Sequence, residues 1–269
     1  MKRGKTEYSI GRARYGVMVV FFLFLGGILL TAGCKKETEK ELLIYCGMTM
    51  IKPVSEIVRI IEEQEGCKIL VVKGGSGNLL KSIEFNRVGD LYLPGSENYI
   101  TICLEKNLVT DTALVGYNKA ALMVRKGNPK GITEDLSNLA SKEYSVVIGN
   151  PDSGSIGSET KSILEKKGIY NEVAINALKM ATDSKELVRV LKEKEADIVI
   201  NWYAVATWPE NISYIDTFDI PEKYAERKKL VIGLLKTSKY PRIARAFMEC
   251  ATSEQGQKLF EKYGLYVTK

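Results

Sequence analysis

The stretch VVKGGSGNLLKS, residues 71–82, contains a turn of small residues between two regular elements. An apolar strand leads into Gly-Gly-Ser-Gly at 74–77, and Leu79, Leu80 and Ile83 then have the spacing of a helix's buried face. Glycine lets bare backbone N–H groups approach a neighbouring group closely, and a helix N-terminus presents several such groups together. The stretch therefore predicts a strand, a ligand-facing turn and a helix.

Strand and helix patterns alternate along the rest of the chain. Apolar strands are predicted at 42–46, 67–73, 90–94, 119–127, 144–150, 196–200 and 229–236. Helical spacing follows most of these strands, and two helices are predicted to close the chain. This alternation predicts an α/β fold with mostly parallel sheets, in which ligands bind at the carboxyl ends of the strands.

The first residues have the pattern of an export signal. A basic leader precedes an apolar run of 14 residues, which as a helix would span about 21 Å and is short for a bilayer core of roughly 30 Å. The run ends in Ala32-Gly33-Cys34, a junction that resembles the signal of bacterial lipoproteins, in which the cysteine becomes the lipidated first residue. We therefore expect a signal peptide at 1–33, a charged tether at 34–41, and an extracytoplasmic protein anchored to the membrane. An uncleaved anchor helix is the alternative.

Composition limits the chemistry that the chain can perform. The 269 residues carry a formal net charge of +6, and removing the leader's net +4 leaves about +2, without a basic patch interleaved with aromatic residues. Nucleic acid is therefore not an expected partner. The sequence contains no histidine, which excludes histidine-based catalytic triads and the usual zinc sites. The four cysteines after Cys34 lie among apolar residues, so buried thiols are expected, with a disulfide as the alternative.

Small hydroxyl donors occupy four predicted strand-to-helix turns. These turns are Met48-Thr49, Gly75-Ser76-Gly77, residues 153–158 and Asp183-Ser184. A helix N-terminus and a hydroxyl together make an anion site that needs no formal cation, although any one such turn could serve only as a helix cap. Neither glycine turn has the glycine before Lys-Ser that a P-loop requires, and no nucleophile is paired with a general base. Binding without catalysis, cofactor or metal is therefore predicted.

Six segments of the chain resemble one class of binding protein. They are LLIYCGMTM (42–50), KGGSGNLLKSIE (73–84), GDLYLPGSENYI (89–100), GNPDSGSIGSETKSILEKKGI (149–169), SKELVRVLKEKEADIVI (184–200) and SEQGQKLFEKYGL (253–265). The pattern resembles the type II periplasmic solute-binding proteins of ABC importers, and among them the molybdate- and tungstate-binding lipoproteins. The resemblance implies an α/β fold with a ligand cleft between two lobes, the first at 42–116 and 232–269 and the second at 117–231. It also implies a small oxyanion ligand and an ABC permease as partners, and we expect a monomer.

The same resemblance implies a site of hydroxyls and main-chain N–H groups. Thr49, Ser76 and Gly77 would hold the anion from the first lobe. The second lobe would contribute Ser155, Ile156, Gly157, Ser184 and one or both of Trp202 and Tyr203. Within this pattern Thr49 stands in the place of a serine, Ser155 in that of a proline, and Trp202 in that of a tyrosine ligand.

Molybdate and tungstate suit such a site because they are tetrahedral dianions that accept hydrogen bonds and donate none. Hydrogen phosphate would need one acceptor, for which Asp152 and Asp183 are candidates, and sulfate differs from molybdate chiefly in size. A small organic solute is an open alternative, since Trp202, Tyr203 and Trp208 could form aromatic walls. An exported enzyme is a third hypothesis, which the lack of histidine disfavours.

Overall fold

The computed structural model describes residues 40–268. The predicted signal peptide, Cys34 and most of the predicted tether lie outside the described residues. The strands are β1 (Lys40–Gly47), β2 (Cys67–Gly74), β3 (Leu91–Leu93), β4 (Val109–Asn118), β5 (Ala120–Arg125), β6 (Val147–Gly149), β7 (Lys179–Ala181), β8 (Ile198–Trp202), β9 (Ile215–Asp219) and β10 (Lys228–Leu235). The α-helices are α1 (Ile51–Glu65), α2 (Ser76–Asn86), α3 (Asn98–Glu105), α4 (Ser155–Lys167), α5 (Tyr170–Asn176), α6 (Ser184–Lys192), α7 (Pro241–Thr252) and α8 (Glu254–Lys262). Short 3-10 helices lie at Met48–Met50, Leu136–Ala140 and Tyr203–Thr207.

The first group of elements is built around a five-stranded sheet in the order β2-β1-β3-β10-β4. Strand β1 pairs in parallel with β2 and β3, whereas β10 runs antiparallel to β3 and β4. Helices α1, α7 and α8 cover one face, where Ile57, Phe247 and Phe260 pack on Ile44. Helices α2 and α3 contribute to a separate core that includes Tyr92. This arrangement brings the carboxyl ends of β1, β2 and β3 to one edge of the sheet.

The second group contains a three-stranded antiparallel sheet, β8-β5-β9, and a parallel pair, β6-β7. An isolated bridge between Val146 and Ile198 joins the two. Their shared core is apolar and includes Leu122, Ile148 and Leu187. The chain passes between the two groups twice, through Lys119 after β4 and through residues 220–227 before β10. Turns from both groups can therefore face each other.

The predicted strands and helices are present with shifted ends, and the α/β fold is confirmed. The prediction of mostly parallel sheets is wrong, because β10 returns between β3 and β4 and pairs antiparallel with both. Sequence reasoning also missed β4, β7, β9 and α5. Strand β4 has a mostly exposed amino-terminal half and β7 spans three residues, so neither has a continuous apolar run. Within residues 40–268, no helix is both long and apolar enough to cross a membrane.

Candidate functional site

Three helices begin at a buried serine around one small cavity, which we call the serine cavity. Helix α2 begins at Ser76, α4 at Ser155 and α6 at Ser184, and these residues are 2%, 6% and 4% exposed. The cavity is lined by Gly47, Met48, Gly74, Gly75, Ser76, Gly95, Gly154, Ser155, Ile156, Asp183, Ser184 and Trp202. Because α2 follows β2 while α4 and α6 follow β6 and β7, parallel strands deliver three helix N-termini to one place.

The serine cavity accommodates only a compact occupant. Its volume is about 10 Å³, by a measure in which one water molecule needs roughly 10–15 Å³. A compact polyatomic ion would need a smaller separation of the walls than a sugar or an amino acid would. The lining contains no lysine or arginine, so an anion here would be held by dipoles and hydroxyls rather than by a cation.

Two of the serine hydroxyls are oriented by N–H donors. The backbone N–H of Gly95 donates to Ser76 Oγ at 3.0 Å, and Trp202 Nε1 donates to Ser155 Oγ at 3.2 Å. A hydroxyl has one proton and two lone pairs, so an N–H that occupies a lone pair leaves the proton for another acceptor. Both hydroxyls are therefore arranged as donors toward the cavity.

Backbone N–H groups add to this set of donors. Ser76, Ser155, Ile156 and Ser184 lie in the first turns of their helices, where a backbone N–H group has no partner within the helix. Helices α2 and α4 follow Gly75 and Gly154 without a side-chain cap. Helix α6 differs, because the Asp183 carboxylate accepts hydrogen bonds from the backbone N–H groups of the second and third helical residues. Buried N–H groups without a partner are rare, so these helix ends favour an anion.

A hydrogen bond from Tyr92 holds the first residue of helix α2 in place. Its hydroxyl donates to the Ser76 carbonyl oxygen at 2.7 Å, and the side chain is fully buried. Burial raises the pKa of Tyr92 well above its usual value of 10.0, so the phenol stays protonated and remains a donor. The position of Ser76 is thus set by a neutral hydrogen bond on its carbonyl side.

Glycines allow the turns of the two groups to touch. A Cβ atom on Gly75 would lie 2.3 Å from the Ser153 carbonyl oxygen, and one on Gly77 would lie 2.6 Å from the Asp152 carbonyl oxygen. The backbone N–H of Asn78 donates to the same Ser153 carbonyl at 3.1 Å. Gly77 lies in regular helix, so it is required for space rather than for an unusual backbone angle. These contacts enclose the cavity.

Several predicted site residues lie beside the cavity rather than in its lining. Thr49 is buried in a 3-10 turn, where its hydroxyl donates to Met50 Sδ and accepts from Asn118 Nδ2 at 3.2 Å. It does not cap α1, which begins at Ile51 without a side-chain cap. The N–H of Gly157 is taken by the Gly154 carbonyl at 3.1 Å.

Of the Trp202 and Tyr203 pair, the structure brings Trp202 to the cavity. The ring of Tyr203 lies 6.4 Å from that of Tyr266, between ring centres. Gly95 is the residue that sequence reasoning missed as a donor to Ser76. It directly follows Pro94 after a predicted strand, in the segment LPGSE, and that small-residue loop was the available signal.

The described cysteines and acids form neither a disulfide nor a metal site. Cys46, Cys67, Cys103 and Cys250 all carry free thiols, and burial raises the pKa of Cys103 to about 12. A thiol with a raised pKa carries little thiolate and is a poor nucleophile. Among residues 40–268, no cluster of three or more potential metal-ligating side chains is present.

The fold and this enclosed donor-lined cavity define a ligand-binding protein. Residues 42–266 match the family of bacterial extracellular solute-binding proteins, and the chain belongs to that family. It is therefore an extracellular binding protein rather than an enzyme.

Two relatives agree with this assignment. A protein of Haemophilus influenzae that is named for a binding function is 28% identical over 229 residues, 85% of this chain and 92% of the relative. YvgL of Bacillus subtilis, which is named as the substrate-binding lipoprotein of an ABC transporter, is 26% identical over 264 residues, 91% of this chain and 96% of the relative.

Solved structures share the fold. The periplasmic molybdate-binding protein of Azotobacter vinelandii superposes with a TM-score of 0.73 at 13% identity, over 85% of this chain and 100% of that one. The sulfate-binding protein SubI of Mycobacterium tuberculosis gives a TM-score of 0.74 at 16% identity, over 84% and 86% of the two chains. The fold is thus that of the periplasmic binding proteins.

Proposed function

We propose that this protein binds a tetrahedral oxyanion, with molybdate or tungstate as the favoured ligand, and delivers it to the membrane subunits of an ABC importer. The observation that carries the proposal is the convergence of three helix N-termini, each with a buried serine, on one enclosed cavity. The Ser76 and Ser155 hydroxyls each accept a hydrogen bond from a neighbouring N–H group, which leaves their protons available for an acceptor in the cavity. A fully deprotonated tetrahedral dianion supplies acceptors in several directions at once, which matches this arrangement.

The architecture supports a closing mechanism. In this proposal residues 42–116 with 232–269 form one lobe and 117–231 the other, joined by the two chain crossings. The anion would enter between separated lobes and be enclosed when Gly75 and Gly77 come against Ser153. Each lobe contributes at least one buried serine, so a bound anion would stabilise the closed form relative to the open one.

Cys34 would hold the protein at the membrane. The proposal of a lipidated Cys34 rests on the Ala-Gly-Cys junction and on the lipoprotein name of the B. subtilis relative. An anchored receptor stays near its permease, which favours transfer of the anion. Mass spectrometry of the membrane-bound protein should find Cys34 as an acylated first residue; an unmodified Cys34 behind an uncleaved amino-terminal segment would contradict lipidation.

Phosphate is the second candidate ligand, because Asp183 lines the cavity. Its Oδ1 atom accepts two backbone N–H groups, and a carboxylate has further acceptor capacity for the proton of hydrogen phosphate. A ligand without a proton would gain nothing from that carboxylate. A preference for phosphate that Asp183→Asn abolishes would therefore identify phosphate rather than molybdate as the ligand.

Calorimetric titration of the purified protein with molybdate, tungstate, sulfate and phosphate tests the proposal. We expect the two metal oxyanions to bind most tightly. An anion at about 100 times its dissociation constant should stabilise the protein by roughly 2.7 kcal/mol, which a thermal shift detects. If none of the four anions binds, the oxyanion function is refuted.

A further inference from the structure

A larger groove lies beside the serine cavity, and we call it the lysine groove. Its volume is about 590 Å³, and it is lined by Met48, Ile51, Lys52, Lys73, Lys185, Val188, Arg189, Lys192, Glu193, Val205, Trp208, Glu210, Asn211 and Tyr214. Met48 also lines the serine cavity. Lys73 directly precedes Gly74, and Lys185 directly follows Ser184. The turns that form the cavity therefore also present lysines to the groove.

The groove carries an excess of positive charge. Its lining holds five cationic and two acidic side chains. Lys52 is paired with Glu210 at 2.7 Å, and Arg189 forms ion pairs with Glu193 and with Glu195 outside the groove. The remaining lysines, at 73, 185 and 192, make no ion pair within residues 40–268. An occupant that balances these charges would carry two or three negative charges.

The wall and floor of the groove are apolar or aromatic. Ile51, Val188 and Val205 contribute aliphatic surface, and Trp208 and Tyr214 contribute rings. Small-molecule sites typically have volumes of roughly 300–1,000 Å³, apolar walls and a few placed polar groups, and they favour the interfaces between domains. The lysine groove has such a volume and such walls, and it is far larger than the serine cavity.

We propose that the lysine groove is a second ligand site, which takes a small organic anion with at least two negative charges and an apolar or aromatic body. Lys73 and Lys185 bind its acidic groups from the two groups of elements, because Lys73 lies in β2 and Lys185 in α6. The occupant therefore contacts both groups of elements, as an oxyanion in the serine cavity also would. Two ligands that favour one arrangement raise each other's affinity reciprocally.

Binding to the groove stands independently of the proposed oxyanion function, and only the coupling rests on it. The probes are isophthalate, an aromatic dianion, and citrate, a trianion with little apolar surface; acetate serves as a monoanion control. Calorimetric titrations of the full-length protein at about 0.15 M ionic strength should give a dissociation constant below about 1 mM for isophthalate and no measurable binding of acetate. Saturating isophthalate should tighten molybdate binding by about fivefold or more.

A double variant with a matched control locates the site. Lys73→Gln with Lys185→Gln should weaken isophthalate binding by about tenfold or more, while Lys130→Gln with Lys142→Gln, which removes the same charge from exposed positions outside the groove, should leave it within about twofold. All four lysines are exposed, so neither variant should affect folding.

Three outcomes would overturn the proposal. One is that neither isophthalate nor citrate binds more tightly than acetate; another is that the control variant loses as much affinity as the groove variant. The third is that isophthalate competes with molybdate, which would place it in the serine cavity. If isophthalate binds and molybdate does not, the groove site is supported and the oxyanion function fails.

Discussion

The serine cavity and the lysine groove share Met48 but attract anions by different physical means. In the cavity, the donors are hydroxyls and backbone N–H groups fixed by helix starts and by neighbouring donors, and the serines that carry them are buried. In the groove, the attraction comes from exposed ammonium groups on flexible stems. Fixed dipoles lose little entropy when a ligand binds and act across a low dielectric, whereas exposed lysines act through water and are screened by salt. The cavity should therefore select by shape and the groove by charge.

The largest loss of molybdate affinity should come from a substitution that prevents the cavity from closing. A Cβ atom at Gly77 would lie 2.6 Å from the Asp152 carbonyl oxygen, so Gly77→Val should prevent the two turns from meeting and weaken molybdate binding by about 100-fold or more. Isothermal titration measures the loss. Asn86→Val is the control, because it places the same side chain at an exposed position at the other end of α2. Unchanged affinity in Gly77→Val would show that closure does not bring these turns together in solution.

Removal of a fixed hydroxyl should have the next largest effect. Hydrogen bonds to a charged acceptor are worth about 1.5–3 kcal/mol, so Ser76→Ala should weaken molybdate binding by roughly 10- to 150-fold. Ser82→Ala on the same helix is the control. The Ser82 hydroxyl donates to the Asn78 carbonyl oxygen at 3.0 Å and does not line the cavity. If Ser76→Ala binds as tightly as wild type and loses only stability, the serine is a structural residue of the helix start.

Substitutions of the two tryptophans can distinguish a hydrogen bond that orients Ser155 from simple packing of the ring. Trp202→Phe removes the donor that orients Ser155, and a neutral hydrogen bond of about 0.5–1.5 kcal/mol predicts a loss of roughly 2- to 12-fold in oxyanion affinity. Trp208→Phe is the matched control, because the buried Nε1 of Trp208 makes no hydrogen bond within residues 40–268. Equal losses in the two variants would indicate that ring packing, rather than the hydrogen bond to Ser155, supports the cavity.

Salt should distinguish the two regions directly. Raising ionic strength from about 0.05 M to about 0.5 M shortens the Debye length from roughly 14 Å to 4 Å, so isophthalate should lose several-fold more affinity than molybdate does. Titrations of both anions across this range measure the two slopes. An equally steep slope for molybdate would mean that mobile lysines, rather than fixed dipoles, provide its affinity.

One contribution to the pH dependence of stability should come from Glu159, which lies outside both regions. This buried side chain lies 3.3 Å from Lys228 Nζ, and burial raises its pKa above the ordinary value of 4.5, an effect that Lys228 opposes. The folded state then binds the proton more tightly than the unfolded state, so this contribution is fully present below pH 4.5 and is lost as the pH rises through the folded pKa.

Denaturant unfolding across that range, with Glu159→Gln for comparison, measures the effect. The free energy of unfolding of the wild type, relative to the variant, should fall as the pH rises. A difference that stays constant or increases with pH would contradict the raised pKa.

Local patterns in the sequence were enough to predict the α/β class and the strand-to-helix turns at Ser76 and Ser184, which the structure confirms. The anion-binding character of those turns stays a prediction. Each of these predictions depends on residues that are close together in the sequence. The patterns are a strand that ends in glycine, a helix-capping residue and apolar residues at helical spacing. The apolar spacing of Leu79, Leu80 and Ile83 likewise predicted the buried face of α2, and the structure confirms it.

Only the tertiary structure decided which donors meet. Gly95 and Ser76 are 19 residues apart in the sequence, and Trp202 and Ser155 are 47 apart. No local sequence pattern could therefore predict that the Gly95 and Trp202 N–H groups orient the two serine hydroxyls. The return of β10 between β3 and β4 is set by pairing over more than 100 residues, which is why the prediction of mostly parallel sheets failed. The lysine groove has the same origin, since most of its charges come from α1, β2, α6 and the segment after β8, and the sum of their fields exists only where folding brings those surfaces together.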